Sequence, residues 1–196
     1  MSYGMTNITS GQRTALDDLL VVANTRHGPG AHYHARARGL GPDHDHLADP
    51  LEARAYLVDH RVVAPDGPPN ARTLVRLATV REAVRALAGD RGPESRPPSP
   101  SDRSLEATAR DARYRLTARG LEPVATGWAG FVDGLLPALF DLVRESTSLR
   151  VCGNPRCRFA FVDHSRNHSR RWCENSVCGN RVRVGRHRLR ARARPA

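Results

Sequence analysis

Apolar positions recur in five stretches of the chain, and their spacing predicts most of its elements. From Gln12, Ala15, Leu16, Leu19, Leu20 and Ala23 return at the three-and-four interval of one helix face. Ser10 is placed to cap that helix, which should stop at Asn24-Thr25, before His27-Gly-Pro-Gly30. A second helix opens at Asp49-Pro50, an N-cap followed by proline at the first helical position. It carries Leu51, Ala55 and Val58 and ends before Ala64-Pro-Asp-Gly-Pro-Pro69. A third, capped by Asn70, sets Leu74, Leu77, Val80, Arg81, Val84 and Leu87 on one side, and its acids and arginines read as a solvated outer face. Alternation over Ala112–Thr117, with Tyr114 and Leu116 on one face, then Gly120 and Leu121–Val124, predicts a hairpin with Pro123 at an edge. Gly127–Leu149 has the widest stripe: Trp128, Phe131, Val132, Leu135, Leu136, Leu139, Phe140 and Val143, with Pro137 as a kink.

Between these stretches lie two loops. Residues 26–46 are rich in Gly, His and Arg, and 90–104 hold Pro93, Pro97, Pro98 and Pro100 among Ser, Arg and acids, the composition of a linker. The predicted fold is mainly α with a small β-hairpin over residues 1–148. A small metal-stabilised module with a basic C-terminal helix follows over 149–196. Aromatic residues are only 5% of the chain, so the larger core must be built from Leu, Val and Ala. No apolar run approaches a membrane span, the nearest being Leu19–Ala23, and Met1–Ser10 lacks a basic segment followed by an apolar one. The expectation is a cytoplasmic, intracellular protein.

Charge changes this picture for the last quarter of the chain. Of 31 basic residues none is lysine, and the net charge is +11. Residues 1–149 are balanced, whereas 150–196 hold thirteen arginines against Asp163 and Glu174, so the whole excess sits there. A field this concentrated predicts a polyanion partner, the bland alternative being a solvated basic tail. Because arginine is the chain's only strong cation, its use here does not separate base readout from phosphate contact.

All four cysteines share that segment, as Cys152-x4-Cys157 and Cys173-x4-Cys178 with fifteen residues between. Two local thiolate pairs on a connecting loop suit one tetrahedral zinc ion. Two disulfides, or four unconnected thiols, are the competing readings. A shell filled by four thiolates has no open position, so such a zinc is structural and its binding is coupled to folding. Arg158–Val162 alternates as a short strand with Phe159 and Phe161 on one side, and Trp172 is placed to cover the metal. Beyond Asn180 the residues fit a helix on which Val182, Leu189 and Ala193 form a narrow apolar stripe for docking, although Gly185 lowers its propensity. Arginines flank that stripe on both sides, as suits phosphates across a groove.

The segment Cys152-GNPR-Cys157 … Phe161-x-Asp163-x-Ser165-Arg166-Asn167 … Ser169-Arg170-Arg171-Trp172-Cys173 … Cys178-Gly179-Asn180-Arg181 resembles the CGNR zinc finger family. The match runs over about thirty residues, with Arg183 standing where that family often has lysine. Leu-Leu-Val-Val-Ala-Asn24-Thr25, His46–Val63 and Val80–Leu87 resemble the ABATE domain that usually precedes such fingers. That domain is described as belonging to candidate stress-induced transcription regulators. The resemblance implies one structural zinc on Cys152, Cys157, Cys173 and Cys178 and a bacterial DNA-binding transcription regulator. Nucleic-acid contacts are expected from Arg166, Arg170, Arg171, Arg181, Arg183, Arg186, Arg188, Arg190 and Arg192, with Asp163, Trp172, Gly179 and Asn180 structural near the metal.

The partner expected on this reading is double-stranded DNA, with nucleoid association. The helical domain would receive an unidentified small-molecule or protein signal, or form a homodimer. An RNA-binding or ribosome-associated zinc module would use the same charge, though the sequence shows few aromatics for base stacking. An enzyme is the least favoured class, since residues 1–149 show no phosphate loop, nucleophile elbow or paired carboxylates, and no catalytic residue is expected. His32-x-His34 and Asp43-His44-Asp45-His46 invite a second metal, but the expectation is a solvated loop.

Overall fold

A computed structural model describes residues 14–26, 44–89, 102–118, 120–144 and 148–192 of the chain. Helix α1 (Ala15–Ala23) is capped by Thr14, whose hydroxyl accepts from Asp17 N while the Asp17 carboxylate accepts from Thr14 N. The helix therefore begins later than Gln12, and Ser10 lies outside the described residues. Leu19, Leu20, Val21, Val22 and Ala23 are all buried, because the C-terminal half of α1 is covered on every side. It packs on α3 (Ala71–Leu87), on α5 (Gly127–Arg144) and on a strand of the C-terminal module.

Helix α2 (Pro50–Asp59) starts where Asp49-Pro50 predicts, with Asp49 accepting from Glu52 N. Its buried face is Ala53, Tyr56 and Leu57, not Leu51, Ala55 and Val58, which are exposed. The spacing of both sets is helical; Tyr56 decides between them, since its ring fills the interior while its hydroxyl donates to the Asn24 carbonyl (2.9 Å). Helix α3 is capped by Asn70 as expected, but its charged face is not solvated. Arg81, Glu82 and Arg85 are buried. Arg81 holds the Asp45 carboxylate in a fork at 2.5 and 2.9 Å, and donates to Glu82 Oε1 and Thr25 Oγ1. With His46 N donating to Thr25 O, this cluster ties the end of α1 to the short 3-10 turn His46–Ala48.

Helix α4 (Asp102–Ala109) was not anticipated; its first residues fall where composition suggests a linker, and 90–101 lie outside the described residues. Arg76 fastens it, donating to the Thr108 carbonyl and to buried Asp133 on α5 (2.6 Å). The hairpin is β1 (Tyr114–Thr117) antiparallel to β2 (Gly120–Pro123). Helix α5 ends at Arg144 rather than Leu149, and 145–147 lie outside the described residues. Its core face is Val132, Leu135, Leu139 and Leu142, while Phe140 and Val143 are exposed, so the buried stripe is narrower than the apolar one. Pro137 has no N–H for the carbonyl of Asp133, and the Tyr114 hydroxyl donates to that carbonyl instead (2.8 Å), which fixes the hairpin against the helix.

The C-terminal module opens with β3 (Leu149–Val151), antiparallel to β4 (Ala160–Val162). Alternation along β4 divides it between two cores. Ala160 joins Leu149 in the helical core, while Phe159, just before the strand, and Phe161 join the cysteines. No helix among the described residues is long and apolar enough to cross a membrane.

Candidate metal centre

Cys152 follows β3 and donates its N–H to Phe159 O across the ribbon (2.8 Å). The tight turn to Cys157 is built on buried Asn154, whose carbonyl accepts from Cys157 N and whose side chain accepts from Arg156 N. Gly153 N donates to Arg171 O, which joins the first knuckle to the second. Beyond Trp172, Glu174 accepts from Ser176 N and Oγ and opens a single wide helical turn, Asn175–Gly179, which runs directly into α6 (Asn180–Arg192). A Cβ on Gly179 would lie 2.5 Å from Asn175 Oδ1 and 2.9 Å from the Trp172 ring, so glycine is required by close approach.

These turns bring one sulfur from each cysteine into a cluster whose atoms all lie within 4.8 Å of one another. Cys173 Sγ is 3.6 Å from Cys157 Sγ and 3.7 Å from Cys178 Sγ. Four sulfurs about 2.3 Å from a common zinc ion stand about 3.8 Å apart at the corners of a tetrahedron, whereas a disulfide would need about 2.05 Å. All four cysteines are free thiols in this geometry, so the disulfide reading is set aside. Without a cation the four cannot ionise together. Donation from Cys157 and its neighbours pulls Cys152 down, and the same sharing with Cys152 pushes Cys157 and Cys173 up. The donor set therefore fits one structural zinc. Zinc with four thiolates carries a net charge of about −2, which favours a helix N-terminus beside it. Helix α6 begins two residues after Cys178.

Asp163 shapes the connecting loop. It is fully buried, and its carboxylate accepts from Ser165 N, Ser165 Oγ and Arg170 N at 2.9, 2.6 and 2.8 Å. Burial by itself raises this carboxyl, and the donors more than offset it, so Asp163 lies below the ordinary carboxylate value. Its structural role is thus to hold backbone and hydroxyl donors of the loop near the metal. Trp172 lies against Gly153 and Gly179, on the two knuckles.

The expected nucleic-acid contacts divide into groups. Arg170 is used internally: its guanidinium donates to the carbonyls of Trp172 and Cys173 and lies over Phe161. Arg171 covers Trp172, and Arg183 donates to Asn175 Oδ1. Arg166, Arg181, Arg186, Arg188, Arg190 and Arg192 are exposed. Helix α6 has no buried residue, so the docking stripe does not dock. Val182 is half-buried, Leu189 is exposed, and Ala193 lies outside the described residues. Asn180 N donates to the Asn175 and Val177 carbonyls and starts the helix.

Sequence reasoning missed the residues that join this module to the helices. The Asn24 side chain donates to Ala160 O (3.0 Å) and accepts from Ala160 N (2.8 Å). Arg85 donates to Ala23 O and to the carbonyl of Arg158, whose φ of 57° is left-handed. The hydrophobic-Asn-Thr run was the available signal, but nothing in it names its partner.

Comparison with protein families agrees with this division. Residues 19–146 match the ABATE family, described as "Putative stress-induced transcription regulator", and residues 148–191 match the CGNR zinc finger. No curated protein matches the chain significantly.

Proposed function

The chain belongs to the ABATE family and ends in a CGNR zinc finger; from that premise we propose that it is a cytoplasmic transcription regulator whose finger grips duplex DNA through α6. The observation that carries the reading is the helix itself. At about 100° per residue, Arg181, Arg188 and Arg192 fall on one side, and Arg183, Arg186 and Arg190 on the opposite side. Each row spans roughly 60° or less, and the helix is about 20 Å long. A rod of that size enters a major groove about 12 Å wide, with one arginine row toward each phosphate ridge. Helix α6 carries no acid, and none of its residues is buried. The zinc serves as a rigid base for this helix, and catalysis is not part of the reading. The helical domain is left to receive a signal or to dimerise.

Binding of the zinc-loaded chain to duplex DNA, single-stranded DNA and RNA over a salt series tests the proposal. Four to six phosphate contacts give a slope of roughly −4 to −5 in log affinity against log salt on duplex DNA. Arg188→Ala with Arg192→Ala should lower that slope by about 2. Equal affinity for every polyanion, or binding unchanged in that variant, removes α6 as the DNA-reading element.

A further inference from the structure

A second cluster of ligand atoms lies on the helical domain. His44 Nε2 is 2.5 Å from Glu52 Oε1, and His46 Nδ1 is 3.0 Å from the same oxygen. One donor atom from each of the three residues falls within 4.8 Å of the others. We propose that His44, His46 and Glu52 bind a divalent transition-metal ion of the zinc, nickel or cobalt class, at a site separate from the four cysteines.

Two imidazoles and one carboxylate are a donor set of borderline softness, suited to such ions rather than to calcium or magnesium. Unlike the cysteine shell, three protein ligands leave coordination positions open to solvent or to a further group. The scaffold holds the three in place before any metal arrives. Asp45, between the histidines, accepts from Leu47 N and is clamped by Arg81. Glu52 sits in the first turn of α2, fixed by the Asp49 cap. The His46 ring is buried and stacks on Tyr56 at 4.2 Å, and Tyr56 in turn meets the His60 ring in a tilted contact at 4.1 Å. Both imidazoles meet the same carboxylate oxygen, so the three donor atoms already converge on one point. His44 and Glu52 are only partly buried, so an ion can enter from solvent. Sequence adds weight: five of the nine histidines fall at 27, 32, 34, 44 and 46. His27, His32 and His34 lie outside the described residues, and the site does not depend on them.

The position is suited to an input. Tyr56 donates to the Asn24 carbonyl, and the Asn24 side chain holds β4 of the finger. A metal that tightens His46 against Tyr56 thus acts on the chain segment to which the finger is docked.

The test is cobalt titration of the full chain with zinc already in the cysteine site, followed by absorption and by metal analysis after gel filtration. One further equivalent is expected, with visible ligand-field bands but no thiolate-to-cobalt charge-transfer band. His44→Ala with His46→Ala should abolish that equivalent and leave the zinc content unchanged. Glu52→Gln, which keeps shape and an acceptor, should weaken it by more than the roughly 10–100-fold that loss of an outer-sphere partner costs. No second equivalent, or one that survives these substitutions, overturns the proposal. Should the double variant fail to fold, Glu52→Gln decides alone.

Discussion

The side-chain amide of Asn24 pairs with both backbone polar groups of Ala160, 136 residues away, and the pair is buried. Asn24 thereby acts as one more residue of strand edge for β4, and the finger is fastened to the end of α1 rather than tethered as a bead. Replacing Asn24 by Ala leaves a buried N–H and a buried C=O without partners. The expected cost is about 2–4 kcal/mol of stability, read from denaturant midpoints at unchanged zinc content. Exchange of the Ala160 amide should accelerate with it. A loss under about 0.5 kcal/mol would mean that solvent reaches the pair.

Zinc removal should unmake the C-terminal module selectively. Its core consists of the cysteines, Phe159 and Phe161, with Trp172 and little else. Chelation, or Cys173→Ser, should abolish amide protection in residues 152–180 while α1, α3 and α5 keep theirs, as hydrogen exchange would show. Because thiolates bind the metal and thiols do not, acidification should release zinc with the same pattern. Full protection of 152–180 in metal-free protein contradicts the coupling.

Stability should fall on the acid side through Asp45 and Asp163. Burial raises the Asp45 carboxyl, and the hydrogen bonds and charge of Arg81 outweigh it, so the folded value lies below the ordinary one; Asp163 is depressed likewise. A depressed carboxylate contributes fully above its unfolded value of about 3.9, and that contribution is lost as pH falls through the folded value. The Asp45→Asn variant should therefore be less stable than the parent at pH 7 and show a shallower decline below pH 4. Parallel stability curves for the two proteins would show that the Arg81 fork is energetically idle.

Gly179→Ala should disturb the metal site without touching a ligand. The added methyl meets Asn175 Oδ1 and the Trp172 ring at sub-contact distances. Asn175 can swing away, but Trp172 lies against both knuckles, so a cost of about 1–3 kcal/mol is expected. It should appear as weaker zinc in a chelator competition, with the helical domain melting as before.

Tyr114→Phe isolates one hydrogen bond. It removes the donor that satisfies the Asp133 carbonyl, the group Pro137 leaves without its helical partner. A loss of about 1–2 kcal/mol is expected by thermal melting. A double variant with Pro137→Ala should lose less than the sum, since alanine restores an N–H to that carbonyl.

Several features were legible because they depend on neighbours in sequence. The cysteine pairs, the Asp49 and Asn70 caps, the period of α3 and α5 and the charge step at residue 150 are short-range patterns, and the cysteine spacing suits one tetrahedral metal ion. Burial of charge was not legible. Glu82 and Arg85 read as a solvated face because charged side chains are most often exposed, and their partners, Arg81 for Glu82 and the carbonyls of Ala23 and Arg158 for Arg85, make burial affordable.

Sequence by itself therefore determined the helical segments other than α4, that the four thiols suit one metal site, and where the positive charge lies. Tertiary structure alone decided which helix faces are inside, that α6 stands free instead of docking, and that Asn24 joins the helices to the finger. It also brought His44, His46 and Glu52 to one point. The physical reason is range. Helix periodicity, capping and ligand spacing act over three to fifteen residues. Burial and hydrogen-bond partnership are settled by groups up to 136 residues apart, whose meeting no local pattern encodes.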